Sequence, residues 1–124
     1  MISVKTISEE FVTLLQQVMT NVFPQAAVAG TKLPFIIYRR SNILNLNSKD
    51  SVYQMDCSFE IDIVTENYST GLEKLDTLLG LLQRNSITNP TLHYNINIDS
   101  VTELYDYEQG LYVQRVGCTV HTTR

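Results

Sequence analysis

Residues 52–65 read VYQMDCSFEIDIVT, and this stretch decides the fold. Tyr53, Met55, Cys57, Phe59, Ile61 and Ile63 alternate with Gln54, Asp56, Ser58, Glu60 and Asp62. Successive side chains of an extended chain point to opposite faces, so this period of two predicts a strand with one buried and one wet face. Strands average about five to six residues. This one is long enough to reach past its own domain and help pair with a neighbour.

Upstream, Pro34 opens a second extended run, Phe35 to Arg40, at a position where proline costs no ladder bond. Between the two runs lies SNILNLNSKD, residues 41–50, which reads as a flexible polar loop. Its two apolar residues, Ile43 and Leu46, either tuck onto the core or await a partner. Residues 24–34 read as a connection. The N-terminal segment reads as a helix, because Ile7, Phe11, Leu14, Leu15, Val18 and Val22 form one apolar stripe. Thr6 and Glu9 have capping-box spacing, Ser8 is a competing cap, and Glu9 and Glu10 suit the positive end of the helix dipole. The helix should end before Pro24.

Downstream, Thr70 and Glu73 repeat the capping-box spacing, and Leu72, Leu75, Leu78, Leu79 and Leu82 form a second helical stripe. Gly80 interrupts it and suggests close packing on the sheet. The helix should stop near Asn85, before Pro90. Tyr94, Ile96 and Ile98 then alternate with Asn95, Asn97 and Asp99, and the phase slips near Ser100 and Val101, as at a bulge. Residues 105–110 hold a turn, and Tyr112 to Val120 form a last strand with Val116, Cys118 and Val120 on one face. The expected fold is therefore α+β, in the order α-β-β-α-β-β. It is a two-layer sandwich of about four mainly antiparallel strands with two helices on one face. Residues 1–124 read as a single domain.

Composition narrows the function. A chain of 124 residues can bury about two-thirds of the surface its unfolded form exposes, so a real core is feasible. A net charge of −4, with Arg39-Arg40 as the only adjacent basic pair, lacks the footprint of a nucleic-acid binder. No apolar run approaches a membrane span, and the N-terminus lacks the pattern of a secretory signal. Cys57 and Cys118 occupy apolar strand positions and read as buried free thiols. His93 and His121 have no metal-ligand partner at close spacing. Asp56, Glu60 and Asp62 share the wet face of the long strand and read as a solvated acidic row. A Gly-rich phosphate loop, a nucleophile elbow and a zinc-protease signature are all missing. No catalytic residue, cofactor site or metal site is expected.

The order of segments resembles the tail-completion family of tailed bacteriophages, the tail-terminator and head–tail joining subunits. The amphipathic helix ISEEFVTLLQQV leads to GTKLPFIIYRR, where Leu33, Pro34, Phe35, Ile36, Ile37 and Tyr38 match the family's entry into its first strand. Phe59, Ile61, Ile63 and Tyr68 match its long strand and the step to a Leu-rich second helix. ELYDYEQGLYVQRVGCTV looks like its closing hairpin, through the acidic turn, Gly110 and Tyr112. Gly117-Cys118 departs from the bulkier residues usual there and leaves the last strand's register open.

The resemblance implies a virion structural protein, located at the head-proximal end of the tail and assembled in the host cytoplasm. It implies a homo-oligomeric ring of six that stops tube growth and docks the head connector, with the tail-tube protein and the connector as partners. Ile43, Leu46, Tyr105, Asp106, Tyr107 and Glu108 are the candidate partner contacts. Asp56, Glu60 and Asp62 are candidates to line a channel. Two rival readings stand beside it. One is a small α+β ligand-binding or regulatory module that oligomerises through its sheet. The other is a small enzyme using Asp56, Glu60 or His121, which would need a strongly perturbed pKa in a cleft.

Overall fold

In the computed structural model, residues 3–27, 31–47, 52–84 and 93–123 are described. The elements run α1 (Val4–Leu15), β1 (Val22–Pro24), β2 (Phe35–Asn47), β3 (Val52–Thr65), α2 (Tyr68–Gln83), β4 (His93–Asp106) and β5 (Leu111–Thr123). The alternating run is β3, and it lies at the centre of a five-stranded sheet of order β1-β2-β3-β5-β4. It pairs antiparallel with β2 on one side and β5 on the other, and β4 pairs antiparallel with β5.

Alternation does what the sequence asks of it. Met55, Cys57, Phe59, Ile61 and Ile63 are buried, and they meet Val116, Cys118 and Val120 of β5 on the same face. Both helices cover that face: Ile7, Phe11, Leu14 and Leu15 of α1 and Leu75, Leu78, Leu81 and Leu82 of α2 join one core with it. The Phe11 ring stacks on Phe59 with centroids 4.2 Å apart. The two-layer α+β arrangement is thus observed.

Several expectations need correction. The sheet has five strands and is mixed, because Val22–Pro24 pairs parallel with Ile36, Ile37 and Tyr38. Val22 and Pro24 therefore belong to a strand, and α1 ends at Leu15. The segment 41–47 continues β2, paired with β3 out to Asn47↔Val52 across a bulge between Arg40 and Asn42. Its asparagines lower strand propensity, but pairing to a long partner overrides that preference. Residues 48–50 of the expected loop lie outside the described residues, as do Asn85 and Pro90.

Both helices also start earlier than the capping-box spacing suggests. Ser3 caps α1, its Oγ accepting from the Thr6 amide at 3.3 Å. Asn67 caps α2, its Oδ1 accepting from the Thr70 amide at 3.2 Å. Thr6 and Thr70 are thus the residues whose amides are capped, three positions inside each helix.

The bulge near Ser100 is present, as a register shift between Ile98 and Ser100. It sets Gly117 directly against Ser100, where a Cβ would lie 2.8 Å from the Ser100 Oγ. This contact explains the departure at Gly117 and fixes the register of β5. Close helix–sheet approach occurs at Gly71, where a Cβ would lie 2.8 Å from the Thr65 Oγ1. Gly80, the position the sequence suggested for it, has only the Arg84 guanidinium nearby, at 3.7 Å.

Candidate functional site

The face of the sheet turned away from the helices holds the expected acidic row, and the row is not bare. Register places Arg39 opposite Glu60 and Asp62 opposite Arg115. Arg39 donates to Glu60 Oε1 and Asp62 Oδ2, each at 2.8 Å. Arg115 donates to Asp62 Oδ1 at 2.8 Å and Oδ2 at 3.1 Å, a two-pronged contact that fits a planar guanidinium to a carboxylate. Two arginines thus balance two carboxylates. Asp62 is 6% exposed, which corrects the reading of a solvated row.

Burial alone would raise the Asp62 carboxyl, but the hydrogen bonds from Arg115 and Arg39 outweigh it and hold it below the usual carboxylate range. The same bonds to Asp62 raise both arginines further. The third member of the row, Asp56, faces His121 across β3 and β5, with Nδ1 to Oδ1 at 2.8 Å. His121 Nε2 lies 3.1 Å from the Asn97 side-chain nitrogen, and Gln54 donates to Asp56 at 3.2 Å. Between these layers, Ser58, Thr119 and Asp99 form a short hydroxyl–carboxylate chain. The face is therefore a polar network of paired groups.

The two thiols sit on the helix-covered side. Burial raises Cys57 and pushes Cys118 up to about 12, so neither is a nucleophile at neutral pH. Among the described residues, no cluster of three or more His, Cys, Asp or Glu could hold a metal, and no helix is long and apolar enough to cross a membrane.

The candidate contact residues fall at opposite edges of the sheet. Ile43 lies on β2 opposite Cys57, half-buried and packed against the core. Leu46, also on β2, pairs with Gln54 of β3, and its side chain lies outside the described residues. The hairpin residues cluster at the far side, beyond β5. Tyr105 meets Tyr107 and Tyr112 with centroids 4.8 Å apart in each case, and Tyr112 meets Tyr68 at 5.3 Å. Tyr107 is 88% exposed. Asp106 holds the turn itself, its Oδ1 accepting from the amides of Glu108 and Gln109. Sequence reasoning missed Tyr68 and Tyr112 as members of this cluster. Tyr112 was discoverable, because it faces Tyr105 across a short hairpin; Tyr68 is brought in only by the docking of α2.

No family model matches this chain, and a search of the curated proteins finds no match. Its fold is similar to that of a chain in the solved virion of a native gene transfer agent particle. The TM-score is 0.68 at 10% identity, over 95% of this chain and 92% of that one. A likeness this remote in sequence establishes a shared fold.

Proposed function

We propose that this chain is a structural subunit of a phage-like particle, of the tail-completion kind. Its copies form a ring that caps the tail tube and offers a docking surface to the head connector. The observation that carries the reading is the fold shared, nearly end to end, with a chain of the gene transfer agent virion. It agrees with the independent order of sequence segments, from the Leu33-Pro34 entry to the closing hairpin.

The work of such a subunit is interface energy, with no bond made or broken. The geometry suits it: a rigid two-layer scaffold presents an aromatic hairpin at one edge and a paired polar face away from the helices. Two clefts, one lined by Leu33, Pro34, Thr65, Glu66, Asn67 and Thr70 and one by Ser8, Glu9, Val12 and Tyr38, measure about 110 and 220 Å³. Both fall below the range of roughly 300–1,000 Å³ usual for small-molecule sites.

The polar face, with Asp56, Glu60 and Asp62, remains our candidate for the channel wall. It would present ion pairs to passing DNA, so its influence on phosphates would come from balanced charge and bound water. Co-expression with a phage tail-tube protein tests the function. The chain should mark a single end of each tube. Decoration along the tube, or no association with it, would overturn the reading.

A further inference from the structure

The two edges of this sheet carry opposite charge. On one side, β1 covers only Ile36 to Tyr38 of β2, which leaves the outer edge of Arg39–Asn47 unpaired among the described residues. Strand β2 holds no carboxylate; Arg39 is balanced by Glu60 and Asp62 within its own copy, and the exposed Arg40 gives this edge its positive charge. On the other side, β4 and its turn, residues 93–110, hold Asp99, Glu103, Asp106 and Glu108 and no Lys or Arg.

Strand β4 is also a long edge. It is 14 residues long and contains neither Pro nor Lys; its edge is interrupted only by the bulge between Ile98 and Ser100 and by the carboxylates of Asp99, Glu103 and Asp106. Every residue from Asp99 to Tyr105 is exposed, including the apolar Val101 at 46% and Leu104 at 40%. The opposite edge has an apolar counterpart in Leu44, 54% exposed. Register places Leu44 opposite Asp56 and Leu104 opposite Val113, which sets both on the polar face of the sheet.

We propose that β4 of one copy pairs with the Arg39–Asn47 edge of β2 in a second copy, head to tail. Strand direction permits it. Each neighbour from β2 through β3 and β5 to β4 is antiparallel, so β2 and β4 run in opposite directions within one copy. A copy added beside the first in the same orientation then meets β4 with an antiparallel β2, and the sheet continues. Charge selects this arrangement over a two-fold dimer. A β4–β4 contact sets the carboxylates of Asp99, Glu103 and Asp106 on two like edges together, and a β2–β2 contact sets Arg40 against Arg40. Only the head-to-tail pairing sets opposite signs together. Such a contact leaves one edge of each kind free, so it propagates, and it closes when the rotation per copy permits. The contact deepens the ring reading, by naming the surface that joins the copies.

Sedimentation velocity across concentration and salt tests it, on the native chain and on edge variants. The native chain should assemble with concentration and weaken as salt screens the edges. Arg40→Glu should weaken assembly by about tenfold or more. Thr102→Pro and Glu103→Pro form a matched pair, because adjacent residues of a strand turn their amides to opposite sides. One of them loses only an outward amide, keeps the β4–β5 ladder and should stay folded but monomeric. Mixed with Arg40→Glu, that variant should give a one-to-one dimer, since each supplies the edge the other lacks.

A native chain monomeric at every concentration, or an Arg40→Glu chain that assembles like the native one, would overturn the proposal; the latter also decides if both proline variants unfold. Open chains of copies would keep the edge contact and sink the ring. Closed rings whose β2 and β4 edge amides exchange freely with solvent would keep the ring and sink the edge contact.

Discussion

Asp62 is the residue on which the paired face turns. Replacing it with Asn removes the charge that both Arg39 and Arg115 embrace. Those arginines are 28% and 36% exposed, so solvent screens part of the loss. A cost of about 1–2 kcal/mol is expected in urea unfolding. The pH dependence follows from the direction of the shift. The folded carboxyl lies below its unfolded value, so its contribution is fully present above about pH 4 and fades as pH falls through the folded value. Asp62→Asn should therefore flatten the acid limb of stability, measured by unfolding between neutral pH and pH 2. The glycines give a second contrast at this scale. Gly71→Ala should cost about 1–3 kcal/mol, because Thr65 is β-branched, buried and already donating to the Asn67 carbonyl at 2.9 Å. Gly80→Ala has room and should gain about 0.5–1 kcal/mol in the same unfolding measurement.

At the scale of elements, the strands and helices were legible where one period dominates. Alternation in β3 and the Leu stripe of α2 survive into the structure because each buries a whole face. The element ends were less legible. Thr-x-x-Glu spacings such as Thr6/Glu9 and Thr70/Glu73 occur by chance in polar segments, and they obscure the true caps at Ser3 and Asn67. Asn67→Ala should cost about 1 kcal/mol of stability, while Thr70→Ala should cost little, since Thr70 contributes its backbone amide. Equal losses from the two would contradict the assignment of the cap. The extension of β2 through Asn47 was hidden for a different reason. Asn and Ser favour turns, and only the length of β3 across from them keeps the segment extended. The same concealment applies to β1, which three residues of parallel pairing define.

At the scale of the whole molecule, a sequence read in one dimension shows which residues are charged but not which charges meet. Asp56, Glu60 and Asp62 read as an acidic row because their partners lie in other strands: Arg39 on β2, Arg115 and His121 on β5. Strand order was equally invisible, yet it carries the assembly argument, since it places the acidic β4 at one edge of the sheet and the part of β2 that β1 leaves uncovered at the other. The hairpin cluster of Tyr105, Tyr107 and Tyr112 was partly legible from its spacing, and Tyr68 joined it only through packing. The account predicts a subunit whose two edges are made for each other and whose polar face is left free. Sedimentation of the purified chain, with negative-stain imaging of any large species, tests this most directly. The account predicts a closed ring of identical subunits, six in number. A compact two-fold dimer, or a monomer at every concentration and also in the presence of tail tubes, would contradict it.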